Sequence, residues 1–139
     1  MVEADVIIAK VASLTSCLAR IRELRTRRDK LQQRDYRELL ELNLQRATQD
    51  TIDIAAHVVA TERWGVVDEV SKNFTILRER GLIAEDLEIR LRKMVGFRNV
   101  AVHQYLDLNF EIVEYVTEHR LDDLRDLAAA VVEHFNLGG

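Results

Sequence analysis

The sequence predicts an all-α protein, an up-and-down bundle of four or five helices that spans residues 1–139 as one domain. Three observations carry this. Apolar residues recur at alternating steps of three and four along most of the chain, the spacing of one helix face. The 139 residues contain no proline and only five glycines, which favours long uninterrupted helices. No stretch alternates apolar and polar residues as a half-buried strand does.

The elements follow in order. Ile7, Val11, Leu14, Leu18 and Ile21 form one stripe, and Tyr36, Leu40, Leu44, Ala47, Thr51, Ala55 and Val58 form a second, longer one. Gly65 is placed to stop this second helix. Val67, Val70, Phe74 and Leu77 mark a shorter third, closed by Gly81 as a left-handed cap. Leu87, Leu91 and Met94 or Val95 lead a fourth helix toward residue 100. Asn109 is placed as the N-cap of a segment through Phe110, Val113 and Val116, and Leu121, Leu124, Leu127, Val131 and Phe135 close the bundle.

Composition bounds the class. Apolar residues make up 47% and charged residues 32%, a globular balance at a length that buries roughly 68% of the unfolded surface. No apolar run approaches the ~20 residues that span a bilayer, and the start Met1-Val2-Glu3-Ala4-Asp5 lacks the basic region of a signal peptide. A cytoplasmic protein with no membrane partner is expected. Cys17 is the single cysteine. It cannot form an internal disulfide and reads as a buried small hydrophobe. The net charge is -4, yet residues 20–37 hold eight basic side chains (Arg20, Arg22, Arg25, Arg27, Arg28, Lys30, Arg34, Arg37) against Glu23, Asp29 and Asp35. This run reads either as a guide for a phosphate backbone or as helix-end charges paired with nearby carboxylates.

Chemistry concentrates in Gly96-Phe97-Arg98-Asn99-Val100-Ala101-Val102-His103-Gln104-Tyr105. Arg98 is a permanent cation able to brace a phosphate, and His103 can exchange a proton near neutral pH. Together they point to phosphodiester cleavage. At ~100° per residue the two lie about 140° apart on one helix. Either the helix ends between them or a second chain completes the site. Asn99, four residues before His103, shares its face and is placed to orient the imidazole or donate to the phosphate, and Tyr105 is placed to bind beside the cleft. In metal-free RNA cleavage the 2′-hydroxyl attacks its own phosphate, so the catalyst needs a base, an acid and a cation. One histidine per chain falls short of two proton transfers, and a two-fold dimer supplies two. Gly96 costs about 1 kcal/mol against alanine inside a helix. It marks a close approach of another backbone at the motif, read as a helix–helix contact within the chain or else as a dimer contact or a site-shaping role.

Other candidates are weaker. His57, His119 and His134 lack the i, i+4 spacing of a zinc helix and no cysteine pair accompanies them. Neither metal nor cofactor is expected. Trp64 reads as a core or interface plug. Phosphate-binding glycine loops and Gly-x-Ser-x-Gly are absent from the sequence.

This decapeptide resembles the signature of the HepT family of HEPN-type toxins: Arg, four residues, His, one residue, Tyr, matched by Arg98, His103 and Tyr105. Asn43-Leu44-Gln45-Arg46-Ala47 and Asp50-Thr51-Ile52-Asp53-Ile54-Ala55 resemble the family's second helix, and Leu77-Arg78-Glu79-Arg80-Gly81-Leu82-Ile83 its helix-turn. The chain departs from the pattern after Gly65, where Val66-Val67-Asp68 replaces a frequent proline. The resemblance implies a HEPN-like bundle, a homodimer with the site at its interface, and a metal-independent endoribonuclease toxin acting on RNA through Arg98 and His103. It also implies a cognate minimal nucleotidyltransferase antitoxin that transfers AMP onto Tyr105, where added phosphate charge would repel RNA.

Two other classes compete. Similar bundles form the substrate-binding part of larger nucleotidyltransferases, so a noncatalytic binding subunit is the main alternative, with Arg98 and His103 holding a ligand phosphate. A purely structural dimerisation module is the weaker one. The ribonuclease needs a histidine that titrates and a cleft open to RNA; the binding subunit needs only the partner surface.

Overall fold

In the computed structural model the backbone is described for residues 2–103 and 110–136, with side chains for 4–98 and 110–136. Six α-helices occupy these residues: α1 (Val2–Thr26), α2 (Gln33–Glu62), α3 (Lys72–Glu79), α4 (Glu85–His103), α5 (Phe110–His119) and α6 (Leu121–Phe135), with a 3₁₀ turn at Arg28–Lys30 between the first two. The short α3 and α5 bring the total above the four or five expected. Among the described residues there is no strand.

The helix α2 is the centre of the bundle and touches each of the other five α-helices. That is why its burial exceeds a single stripe. Every apolar position foreseen there is buried, and so are Ile52, Ile54 and Val59 between them. Thr48 and Thr51 on this helix enter the core because their hydroxyls donate to carbonyls one turn back, those of Leu44 and Ala47, each at 2.8 Å, so neither of these two donors is left unmet. Around α2 the buried side chains of all six helices, among them Ile7, Leu14, Phe74, Leu91, Val113 and Leu124, form one hydrophobic cluster. Cys17 lies within it. Burial, and then the Asp50 carboxylate, push its thiol up, so it stays protonated and packs as a small hydrophobe.

Helix ends show where the reading of glycines holds and where it does not. After α3 the Leu82 N–H reaches the Leu77 carbonyl at 2.9 Å and the Gly81 N–H the Arg78 carbonyl at 3.0 Å, with Gly81 at φ 77°. This is the expected Schellman cap. After α2 the same motif forms two residues earlier than foreseen. Trp64 N–H bonds the Val59 carbonyl at 3.0 Å and Arg63 N–H the Ala60 carbonyl at 3.2 Å, so Arg63, at φ 58°, takes the left-handed position and Gly65 does not. A side chain there costs roughly 1 kcal/mol, partly offset by the greater freedom of glycine in the unfolded chain. Arg63→Gly is expected to stabilise the protein by about 0.5–1 kcal/mol and raise Tm by about 2–5 °C. Thermal unfolding followed by circular dichroism checks this; a lower Tm would mean that the arginine side chain contributes more than its backbone costs.

Ion pairs tie the outer helices together. Glu88, 6% exposed, accepts hydrogen bonds from Thr75 Oγ1 at 2.7 Å and Arg78 Nε at 2.8 Å, which fastens α3 to α4. Arg90 Nε donates to the buried Asp123 at 2.9 Å, which fastens α4 to α6. Trp64 packs against the core, edge-on to His134 and beneath the Arg80 guanidinium. It plugs the end of α2, as its position suggested. No helix among the described residues is long and apolar enough to cross a membrane.

Candidate active site

The helix α4 opens with Glu85, Asp86 and Glu88 in its first turn, favourable at the positive end of the helix dipole. It then runs without a break through Gly96 to His103. The helix therefore does not end between Arg98 and His103, and their offset of about 140° stands. Ile89, Gly96 and His103 succeed one another at seven-residue steps and so occupy one ridge in register. On that ridge Ile89 is 46% exposed, and a Cβ added at Gly96 would meet nothing within 4 Å. Among the described residues nothing makes the close contact within the chain that is one reading of that glycine.

Arg98 lies about 180° around the helix from Ile89 and faces α2. Its Nη1 donates to Gln49 Oε1 at 2.6 Å. The guanidinium borders a crevice between α2, α4 and α5, lined also by Glu41, Leu44, Gln45, Thr48, Phe97 and Val113. Burial raises the Glu41 carboxyl above its ordinary value, opposed by the Arg37 charge. The side chains of Asn99 and His103, and the whole of Tyr105 and Asn109, lie outside the described residues.

Behind Arg98 stands a polar chain that periodicity did not reveal. Gln49 Nε2 donates to Asp53 Oδ1 at 2.9 Å, and Lys10 Nζ on α1 reaches Asp53 Oδ2 at 3.0 Å. The hydrogen bond and then the charge of Asp53 raise Lys10 above the ordinary lysine range. The only trace of this in the sequence is the i, i+4 pair Gln49 and Asp53 beside the buried stripe.

The basic run at residues 20–37 divides in favour of its structural reading. Arg28 pairs with Glu114 at 2.8 Å, Arg22 with Asp122 and Arg25 with Glu118 at 3.6 Å, and Arg25 Nη1 also donates to Thr117 Oγ1 at 2.9 Å. These arginines clamp the end of α1 to α5 and α6. Arg37 instead lies over the Phe110 ring at 4.6 Å, at the start of α5. Among the described residues no three His, Cys, Asp or Glu side chains gather as a metal site.

The family model for ribonuclease HepT-like proteins matches residues 14–131, a span that holds Arg98, Asn99, His103 and Tyr105. The chain belongs to the HepT-like family. Among curated relatives, the mRNA nuclease HepT of Shewanella oneidensis is 38% identical over 121 residues, covering 86% of this chain and 90% of that protein. Among solved structures, the tri-AMPylated Shewanella oneidensis HEPN toxin in complex with its MNT antitoxin superposes with a TM-score of 0.84 at 34% identity, over 93% of this chain and 98% of the other. A toxin–antitoxin structure with AMP-PNP gives 0.83 at 34% identity over the same shares. The six-helix arrangement is thus the HEPN bundle, as the HepT resemblance of the decapeptide implied.

Proposed function

We propose that this HepT-like chain is an endoribonuclease toxin that cleaves RNA without a metal ion at a site completed across a two-fold dimer, and that a cognate minimal nucleotidyltransferase silences it by transferring AMP onto Tyr105. It acts as one domain, in the cytoplasm. The observation that carries this reading is the unbroken α4, which bears Arg98 against α2 and His103 on the Ile89–Gly96 ridge. One straight helix cannot aim both at one phosphate. A two-fold dimer supplies a second Arg98 and a second His103, so that two imidazoles share the proton transfers and the guanidiniums hold the phosphate charge. Exposed Arg92 and Lys93 flank the same ridge, where they favour a polyanion. Asn99 orients the imidazole. The nuclease name of the Shewanella relative and the AMPylated state of the solved toxin support the substrate and its control.

Incubation of the purified protein with RNA in EDTA tests the proposal, with and without prior treatment by the cognate nucleotidyltransferase and ATP. Cleavage is expected to persist in EDTA and to stop after treatment, with added AMP mass on the peptide that holds Tyr105. Abolition of cleavage by EDTA would overturn the metal-free mechanism. Loss of cleavage with no AMP on Tyr105 would leave inhibition by complex formation in its place.

A further inference from the structure

We propose that Gln49 is a positioning residue for Arg98, its amide fixed in one orientation by Asp53 and Lys10; the inference rests on Arg98 being the phosphate-bracing cation. The two ends of a glutamine amide are chemically opposite, an acceptor oxygen and a donor nitrogen. Here Oε1 receives Arg98 Nη1 at 2.6 Å and Nε2 donates to Asp53 Oδ1 at 2.9 Å. Rotating the amide by half a turn would set its N–H groups against the guanidinium and its oxygen against a carboxylate. Both bonds would be lost to like-with-like contacts, so Asp53 dictates which end meets Arg98. Asp53 is itself held from the far side by Lys10 Nζ at 3.0 Å, and one turn earlier Ser13 Oγ donates to the buried Asp50 at 2.5 Å. Four side chains on α1, α2 and α4 thus alternate donor and acceptor up to the guanidinium.

The choice of an amide has a chemical sense. A carboxylate at position 49 would orient Arg98 equally well, but its charge would weaken the attraction of the guanidinium for a phosphate. The neutral oxygen of Gln49 fixes direction while adding no opposing charge. A long, flexible arginine is thereby pre-aligned before RNA arrives, and pre-alignment of a group that stabilises charge in the transition state appears in the chemical step rather than in binding.

The test is single-turnover cleavage of RNA, with KM measured alongside, on the full-length protein. Gln49→Met, close in volume and unable to make either hydrogen bond, is expected to lower kcat by about 10- to 100-fold with KM within about twofold. Asp53→Asn leaves Gln49 in place but lets its amide turn, and is expected to lower kcat by about 3- to 10-fold; it gives an independent reading if Gln49→Met melts early. In an Arg98→Ala background Gln49→Met should change nothing further, because its effect passes through the arginine. Full kcat in both single variants, or an equal drop caused by Gln49→Met with and without Arg98, overturns the proposal. If Arg98→Ala cleaves as well as the parent, it is the functional reading of Arg98 that fails.

Discussion

Replacing His103 by alanine is expected to lower RNA cleavage by about 10²- to 10⁴-fold, and replacing Arg98 by alanine by about 10²- to 10³-fold, with both variants folded and in the parent's oligomeric state. The two losses have different origins. His103 lies on α4, and its removal takes away a proton carrier. Arg98 is half-buried and bonded to Gln49, so its removal also frees an amide on α2, and a melting curve must accompany the rate. Cleavage in EDTA, read on a labelled RNA, separates the roles: an arginine acting on transition-state charge lowers the rate at every pH, whereas loss of the histidine also removes the pH dependence that proton transfer by an imidazole imposes. Sedimentation supplies the other half. A monomer that cleaves at the parental rate would refute the shared site, and a fully active His103→Ala would refute the chemistry.

The second large effect concerns stability. Glu88→Ala is expected to cost about 2–3 kcal/mol, because a buried carboxylate with hydrogen bonds from Thr75 and Arg78 is removed and its partners lose their acceptor. The lower part of the range for a broken buried pair applies, since Arg78 and Arg92 are each about two-fifths exposed and water screens them. The Thr75 hydrogen bond, followed by those from Arg78 and the arginine charges, holds the Glu88 carboxyl below its ordinary 4.5 against the opposing cost of burial. A lowered folded value means the unfolded state binds the proton more readily. This contribution is therefore fully present above about pH 4.5 and fades as the pH falls through the folded value. Denaturant unfolding from pH 7 down to pH 3 should show a flatter acid limb in Glu88→Gln than in the parent. Parallel acid limbs would show that the carboxylate is not the linked group.

Local signals account for what the sequence made legible. The stripes of α1 and α2 stand out because burial repeats at the helical period, and the cap at Gly81 because only glycine enters the left-handed region without cost. The cap at Arg63 escaped notice for the converse reason: nothing in an arginine announces that its neighbours will hold it at positive φ. In the site, Arg98 and His103 were visible as residue types at a spacing. The Gln49–Arg98 bond was not, because it joins positions 49 residues apart whose meeting depends on how α4 crosses α2. The basic run left two readings open for a related reason. Its partners Glu114, Glu118 and Asp122 lie on α5 and α6, so a local charge excess in the sequence is compensated in space.

The central place of α2 bears on how the molecule comes into being. A chain made from its N-terminal end has α1 and α2 available before any other helix, and their pairing is the most extensive in the bundle. Each later helix then meets a surface already in place, and α4 adds Arg98 to a Gln49 that has been waiting on it. The hairpin of the first two helices is thus the template of the fold, and Arg98 is seated on it only once α4 has been made.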